Sequence, residues 1–122
     1  MICHHDKIEK HDLGGGVIMQ VLGVGENMNV MHWDMADGSE VKHHNHTEEQ
    51  FGFVIRGELE LTIEGKVFSV RAGDGYFVPS EQWHSFVAVG KTEAIDVFSP
   101  IKREYANPAI DDILTAVIGS AG

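Results

Sequence analysis

The sequence has little cysteine and no long hydrophobic run. Cys3 is the one cysteine among 122 residues, so no disulfide can form within the chain. No apolar stretch approaches the roughly 18 residues of a membrane-spanning helix, and residues 1–7 lack the apolar core of a secretion signal. We therefore expect a protein of the reducing cytoplasm that does not enter a membrane.

Basic residues are scarce as well. Nine Lys and Arg stand against 19 Asp and Glu, which gives a formal net charge of −10 and a pI near 5.1. Nucleic acids and anionic membrane surfaces bind clusters of positive charge. The sequence contains no such cluster, so we expect neither as a partner. Its length predicts a single domain over residues 1–122, without a separate DNA-binding module.

Short segments of alternating polarity, separated by turn residues, make up most of the chain. This pattern is typical of an antiparallel barrel or sandwich. Strands are predicted over residues 17–24, 27–35, 51–63, 67–70, 76–78, 84–89 and 92–98, and the longest of these breaks near Gly57. In its second half, Leu59, Leu61 and Ile63 are expected to face the core. The sequence thus predicts an all-β fold whose barrel core spans about residues 17–100.

One helix is predicted after the strands, over about residues 108–118. Asn107 is a suitable N-cap, Pro108 suits the first helical position, and Gly119 is able to end the helix. An apolar stripe along this segment is expected to pack on the barrel or on a partner subunit.

Histidines in the middle of the chain suggest a metal site. His44 and His46 would project from the same face of a short strand, since alternate side chains of a strand share a face. A turn would bring the amide oxygen of Gln50 close, and His84 would complete the set. The alternative is a solvated histidine-rich turn that binds no metal. His4, His5 and His11 follow no such spacing, and we expect them to be solvated.

Two segments resemble the signature motifs of the cupins. The first motif, G-x5-H-x-H-x3-E-x6-G, is matched by Gly38, His44, His46 and Gly57, with Gln50 in place of glutamate. The second, G-x5-P-x-G-x2-H-x3-N, is matched by Gly73, Pro79 and His84, with Glu81 in place of glycine and Ala88 in place of asparagine. The resemblance covers roughly residues 25–100. It implies a jelly-roll barrel and one divalent metal ion (Zn, Ni, Fe or Mn) held by His44, His46, Gln50 and His84.

An acidic residue near the end of the strand region points to the chemistry of the site. Asp96 shares a strand face with Phe98 and lies opposite Ile95 and Val97. If that face lines the barrel interior, Asp96 is a buried acid suited to general acid or base catalysis. The local pattern leaves open a surface aspartate on an edge strand.

Within the cupins, the segment Asp-Val-Phe-Ser-Pro at residues 96–100 resembles the small pectin-degradation cupins, which convert unsaturated uronates into linear keto sugars. The resemblance implies that Asp96 is the catalytic aspartate and that Phe98 walls the sugar. The arginine of that subgroup falls on Lys102, followed by Arg103. Either would anchor the carboxylate of the substrate, although lysine lacks the bidentate fork of arginine. Glu48 stands where members of the subgroup often carry histidine.

The resemblance implies a metal-dependent enzyme that opens or isomerises an unsaturated uronate or related small sugar acid without redox chemistry. Zinc or nickel suits three imidazoles and one amide oxygen. A metal-dependent dioxygenase and a non-catalytic sugar-binding or metal-binding cupin remain alternatives. Cupins of this size are commonly dimers, and the strand at residues 17–24 is compatible with pairing across a homodimer.

Overall fold

The computed structural model describes residues 2–106, which fold into eight antiparallel strands and one short helix. The strands are β1 (His11–Asp12), β2 (Val17–Val24), β3 (Asn29–Met35), β4 (Glu40–His44), β5 (Glu49–Ile63), β6 (Lys66–Arg71), β7 (Gly75–Val78) and β8 (His84–Ser99). The helix α1 spans Arg103–Ala106, and a 3-10 turn spans His5–Lys7. The predicted all-β fold is confirmed. The helix predicted over residues 108–118 lies outside the described residues.

Two long strands connect the rest of the barrel. β5 pairs with β8 along almost its whole length, and the sheet runs in the order β1-β2-β3-β8-β5-β6. β4 joins the first half of β8, and β7 joins the first half of β5. Both long strands bend at glycines with positive φ, Gly57 (79°) and Gly90 (74°). A Cβ at Gly57 would overlap the backbone of Lys91, so the close crossing of the strands at this bend requires glycine.

The barrel interior is filled by the inward residues of each strand. Along β3, Met31, Trp33 and Met35 point inward, and Leu59 and Leu61 of β5 are buried as predicted. Ile63 is partly buried against the same core. Full burial of one such side chain contributes about 1.5–3 kcal/mol to folding. Tyr105 of α1 packs edge-on against Trp33, so the chain after β8 closes one end of the barrel.

The structure differs from the sequence-based expectation at one ligand. β4 ends at His44, and His46 lies in the loop that follows, so the expectation that one strand carries both residues is wrong. A register shift between Val41 and His44 accompanies the end of this strand. No helix within residues 2–106 is long and apolar enough to cross a membrane.

Candidate metal centre

Three histidines from two segments of the chain meet at one end of the barrel. His44 and His84 are directly opposite each other in the pairing of β4 with β8, and the loop after β4 brings His46 beside them. One ring nitrogen from each of the three lies within 4.8 Å of the others. Gln50, near the start of β5, places its Oε1 3.1 Å from Nε2 of His46. The four residues predicted as ligands are therefore brought together.

Backbone carbonyls fix the orientation of all three rings. Nδ1 of His44 lies 2.6 Å from the carbonyl oxygen of Lys42, Nδ1 of His46 lies 2.9 Å from that of Glu48, and Nδ1 of His84 lies 2.8 Å from that of Gln82. A carbonyl oxygen only accepts hydrogen bonds, so each Nδ1 must carry the proton. In the neutral ring, Nε2 then holds the free lone pair that binds a metal.

Burial keeps these imidazoles neutral. It lowers the pKa of His44 to about 4 and that of His84 to about 3, and it also lowers the pKa of His46. Repulsion among the rings and from Lys102 acts in the same direction. His84 is fully buried, and its Nε2 has no hydrogen-bond partner among residues 2–106. Three neutral nitrogens and an amide oxygen suit a divalent first-row ion, so this donor set fits the expected metal.

A small cavity adjoins this centre inside the barrel. Its lining includes two of the predicted ligands, His44 and Gln50, together with Asp96, Phe98 and Lys102. The predicted acid, aromatic wall and cation therefore face one space next to the histidines. Arg103, the other predicted anchor, is exposed at the first residue of α1 and does not line this cavity.

Asp96 is buried on the inner face of β8, only 5% exposed. β8 lies between β3 and β5, so the alternative of a surface aspartate on an edge strand is wrong. Burial raises the pKa of Asp96 from 3.8 to about 6, and a hydrogen bond from the hydroxyl of Tyr76 partly opposes this rise. A Cβ at Gly52 would overlap both Tyr76 and Asp96, so glycine at this position makes the contact possible.

Lys102 is buried at the cavity wall, 6% exposed. The side chain of Asn29 holds its backbone through two hydrogen bonds, of 3.0 and 3.1 Å. Its Nζ lies 3.2 Å from a carboxylate oxygen of Glu104, 6.0 Å from the ring centroid of Phe98 and 5.5 Å from that of Tyr105. The cavity thus holds a positive charge whose carboxylate partner, Glu104, is itself exposed to solvent.

Sequence reasoning did not find three of these neighbours. Tyr76 lies at an inward position of a predicted strand. Its contact with Asp96 depends on strand pairing, because Tyr76 of β7 and Asp96 of β8 lie on the two sides of Gly52 in β5. Glu104 and Tyr105 belong to a helix of four residues, which is too short to give a periodic signal. Glu48, which stands where the pectin-degradation cupins often carry histidine, places its carboxylate 3.6 Å from Nδ1 of His46.

Comparisons with known proteins agree with this architecture. The family model described as "Cupin domain" matches residues 31–98. The pectin degradation protein KdgF of Dickeya dadantii is 24% identical over 102 residues, which are 82% of this chain and 93% of that protein. The polyketide synthase CurC of Streptomyces cyaneus is 37% identical over 65 residues, which are 52% of this chain and 42% of that protein, so the match spans less than half of its length.

A solved structure shows the same fold. The structure of KdgF from a Halomonas species superposes with a TM-score of 0.81 at 23% identity, over 85% of this chain and 98% of that chain. The family model covers more than half of the sequence, and the superposition extends over most of it. The chain therefore belongs to the cupin domain family.

Proposed function

We propose that this protein is a metal-dependent cupin enzyme that opens or isomerises an unsaturated uronate, or a related small sugar acid, without redox chemistry. The observation that carries the proposal is Asp96, a buried acid that faces the same cavity as His44 and Gln50. A cupin that only bound a metal or a sugar would not need a buried carboxyl group at this place. The similarity to the pectin degradation protein of Dickeya dadantii, along most of both chains, supports the choice of substrate class.

The charges around the cavity suit an anionic substrate. Three imidazoles and one amide are neutral donors, so they leave the charge of a bound divalent ion uncompensated. Lys102 adds a second positive charge at the wall, where the carboxylate of Glu104 lies 3.2 Å from its Nζ. The carboxylate of a uronate would take the place of Glu104 and form the same kind of ion pair.

Each residue has one task in this scheme. A divalent ion held by His44, His46, Gln50 and His84 would supply Lewis-acid polarisation of a substrate oxygen; zinc or nickel suits the donor set. Asp96 moves the proton: burial raises its pKa and the bound cation would lower it, and these opposed effects poise the carboxyl group for proton transfer near neutral pH. Tyr76 holds the Asp96 carboxyl group in place. Phe98 provides an apolar wall for the sugar ring, and Lys102 fixes the substrate's carboxylate.

The direct test is an absorbance assay on purified protein whose metal content is determined by elemental analysis. An unsaturated galacturonate absorbs through its conjugated enol, and ring opening to the linear keto form removes this absorbance. We expect the signal to fall with metal-loaded protein and to stay constant after chelation. Unchanged absorbance with fully loaded protein would exclude this reaction.

Oxygen separates the proposal from a dioxygenase built on the same barrel. A non-redox reaction consumes no oxygen, so its rate is the same in air and under anaerobic conditions. The absorbance assay gives the rate in air and under nitrogen, and an oxygen electrode measures oxygen uptake in the aerobic reaction. Oxygen uptake that follows substrate turnover would replace the isomerase with a dioxygenase.

A further inference from the structure

A second group of possible metal ligands lies on the outside of the barrel. Along β3, Met31 and Trp33 point inward, so His32 between them projects from the outer face. Glu93 of β8 projects from the same face, next to His32. The N-terminal segment crosses this face, and His5 packs its ring against His32 with 4.4 Å between centroids. This group is separate from the cavity, because the wall of the barrel lies between them.

Gln20 ties the N-terminal segment to this face. Its Nε2 donates hydrogen bonds to the carbonyl oxygens of His5 (2.8 Å) and Ile8 (3.0 Å). These contacts hold the 3-10 turn over His32, which is only 3% exposed although it lies on the outer face. His5 itself remains exposed, so its ring is free to adjust.

The protein alone does not supply hydrogen-bond partners for both ring nitrogens of His32. Its Nε2 lies 2.6 Å from a carboxylate oxygen of Glu93. If Nε2 carries the proton, Nδ1 is a buried lone pair without a hydrogen-bond partner among residues 2–106. If Nδ1 carries the proton, Nε2 presents its lone pair to a carboxylate oxygen, which is repulsive. If both nitrogens carry protons, Nε2 pairs with Glu93, but Nδ1 still has no hydrogen-bond partner among residues 2–106. The carboxylate of Asp34 lies 3.8 Å from Nδ1, beyond hydrogen-bond distance.

We propose that His5, His32 and Glu93 bind a divalent cation of the Zn²⁺ class, at a site distinct from the centre in the barrel. One ligand atom from each of these residues lies within 4.8 Å of the others, the same limit that the three histidines of the central site meet. Two imidazoles and a carboxylate form a donor set suited to zinc. A cation between Nε2 of His32 and Glu93 removes the repulsion between them, and the Nδ1 proton then points towards Asp34.

The geometry requires a small adjustment. Ligand atoms of a tetrahedral zinc site are about 3.3 Å apart, so the Nε2–Glu93 separation of 2.6 Å opens slightly and the His5 ring moves inward. The side chains that move are Glu93, which is partly exposed, and His5, which is exposed, while His32 stays buried. Oε1 of Glu93 is paired with Nε of Arg56 at 3.1 Å, so Oε2, next to His32, is the oxygen available to the cation. The bound cation would fasten the N-terminal segment to the sheet.

Zinc stoichiometry tests the proposal. The central site also takes zinc, so binding is measured by elemental analysis after gel filtration, both in the unmodified protein and in a protein carrying His44→Ala and His46→Ala. Adding His5→Ala to either protein should lower its zinc content by about one ion per chain. His4→Ala is the matched control, since His4 is an exposed neighbour outside the cluster. It should leave the zinc content unchanged.

Proteolysis provides a second measurement that does not depend on the central site. Trypsin cleaves after Lys7 and Lys10, which are exposed on the segment that the cation would fasten. Zinc should slow this cleavage several-fold in the unmodified protein and in His4→Ala, but not in His5→Ala. Equal zinc content and equal cleavage rates in the His5→Ala and His4→Ala proteins would overturn the proposal, because no cation would then bind at His32. Either outcome is independent of whether the protein acts on a uronate.

Discussion

Replacing Asp96 with asparagine should increase stability while removing activity. The pKa of the buried carboxyl group is raised from 3.8 to about 6 in the folded protein. A difference of about two pKa units makes ionisation in the folded state unfavourable by about 3 kcal/mol at neutral pH. Asparagine has similar size and carries no charge. The hydrogen bond from Tyr76 is already included in this difference, because it is one of the causes that set the pKa of Asp96. The expected gain is therefore about 3 kcal/mol at pH 7.

The sign of the effect depends on pH. The folded state holds the Asp96 proton more tightly than the unfolded state, so the unmodified protein loses stability as pH rises from about 4 to about 6. Asp96→Asn does not titrate, so its advantage should be complete above pH 6 and should shrink towards zero as the pH approaches 4. Activity should fall by about 100-fold or more, the usual contribution of a positioned acid or base.

Urea unfolding of the metal-free protein at several pH values measures the stability change, since a bound cation would itself lower the pKa of Asp96. Glu60→Gln is the control, because Glu60 is an exposed carboxylate on the outer side of β5. It should change neither stability nor activity appreciably. Full activity in the Asp96→Asn protein, or a loss of stability that is larger at pH 7 than at pH 4, would refute the reasoning about a buried, proton-transferring carboxyl group.

Four further outcomes are expected. Lys102→Ala should raise KM for a uronate at least about tenfold in steady-state kinetics, because it removes a buried cation, whereas Arg103→Ala should leave KM unchanged; equal effects would contradict the assignment of Lys102. Chelation of the central metal should abolish activity and lower the melting temperature measured by calorimetry, and adding Zn²⁺ or Ni²⁺ should reverse both effects. Gly52→Ala should destabilise the fold by about 1–3 kcal/mol in urea unfolding through overpacking, whereas Gly23→Ala, which introduces a Cβ into open space, should not. The homodimer expected from the sequence should appear in sedimentation equilibrium, and a mass of one chain at every loading concentration would contradict it.

Local alternation was enough to predict most strands and the residues that share a face with Asp96, but not that this face is the inner one. Its neighbours in sequence, Ile95 and Val97, are partly exposed, whereas Asp96 and Phe98 are buried, as the period of a strand requires. One short strand was not identified, and another was placed too late in the sequence. β1 has only two residues, and β4 is mainly polar, so neither contains an apolar alternation long enough to fix its bounds. The strand expected to carry His44 and His46 ends at His44.

Contacts between distant segments are the part that sequence reasoning could not supply. His5 was expected to be solvated, because nothing near it in the sequence has ligand spacing. Its neighbours His32 and Glu93 are brought to it by the pairing of β3 with β8 and by the course of the N-terminal segment. The same limitation applies to Tyr76, which reaches Asp96 across an intervening strand. In each case, the deciding information is the strand register, which no local pattern contains.

The pairing of β5 with β8 connects the metal centre to the proposed acid. His84 opposes Ile63 at one end of this pairing, while Gly52 opposes Asp96 and Gln50 opposes Phe98 at the other. A shift of this register by one residue would turn Asp96 and Phe98 away from the cavity, because alternate residues face opposite sides of a strand. The distance between the ligands and the acid is therefore set by backbone hydrogen bonds rather than by flexible side chains. Such rigidity is what proton transfer next to a bound metal requires, since small displacements of a catalytic group reduce rates strongly.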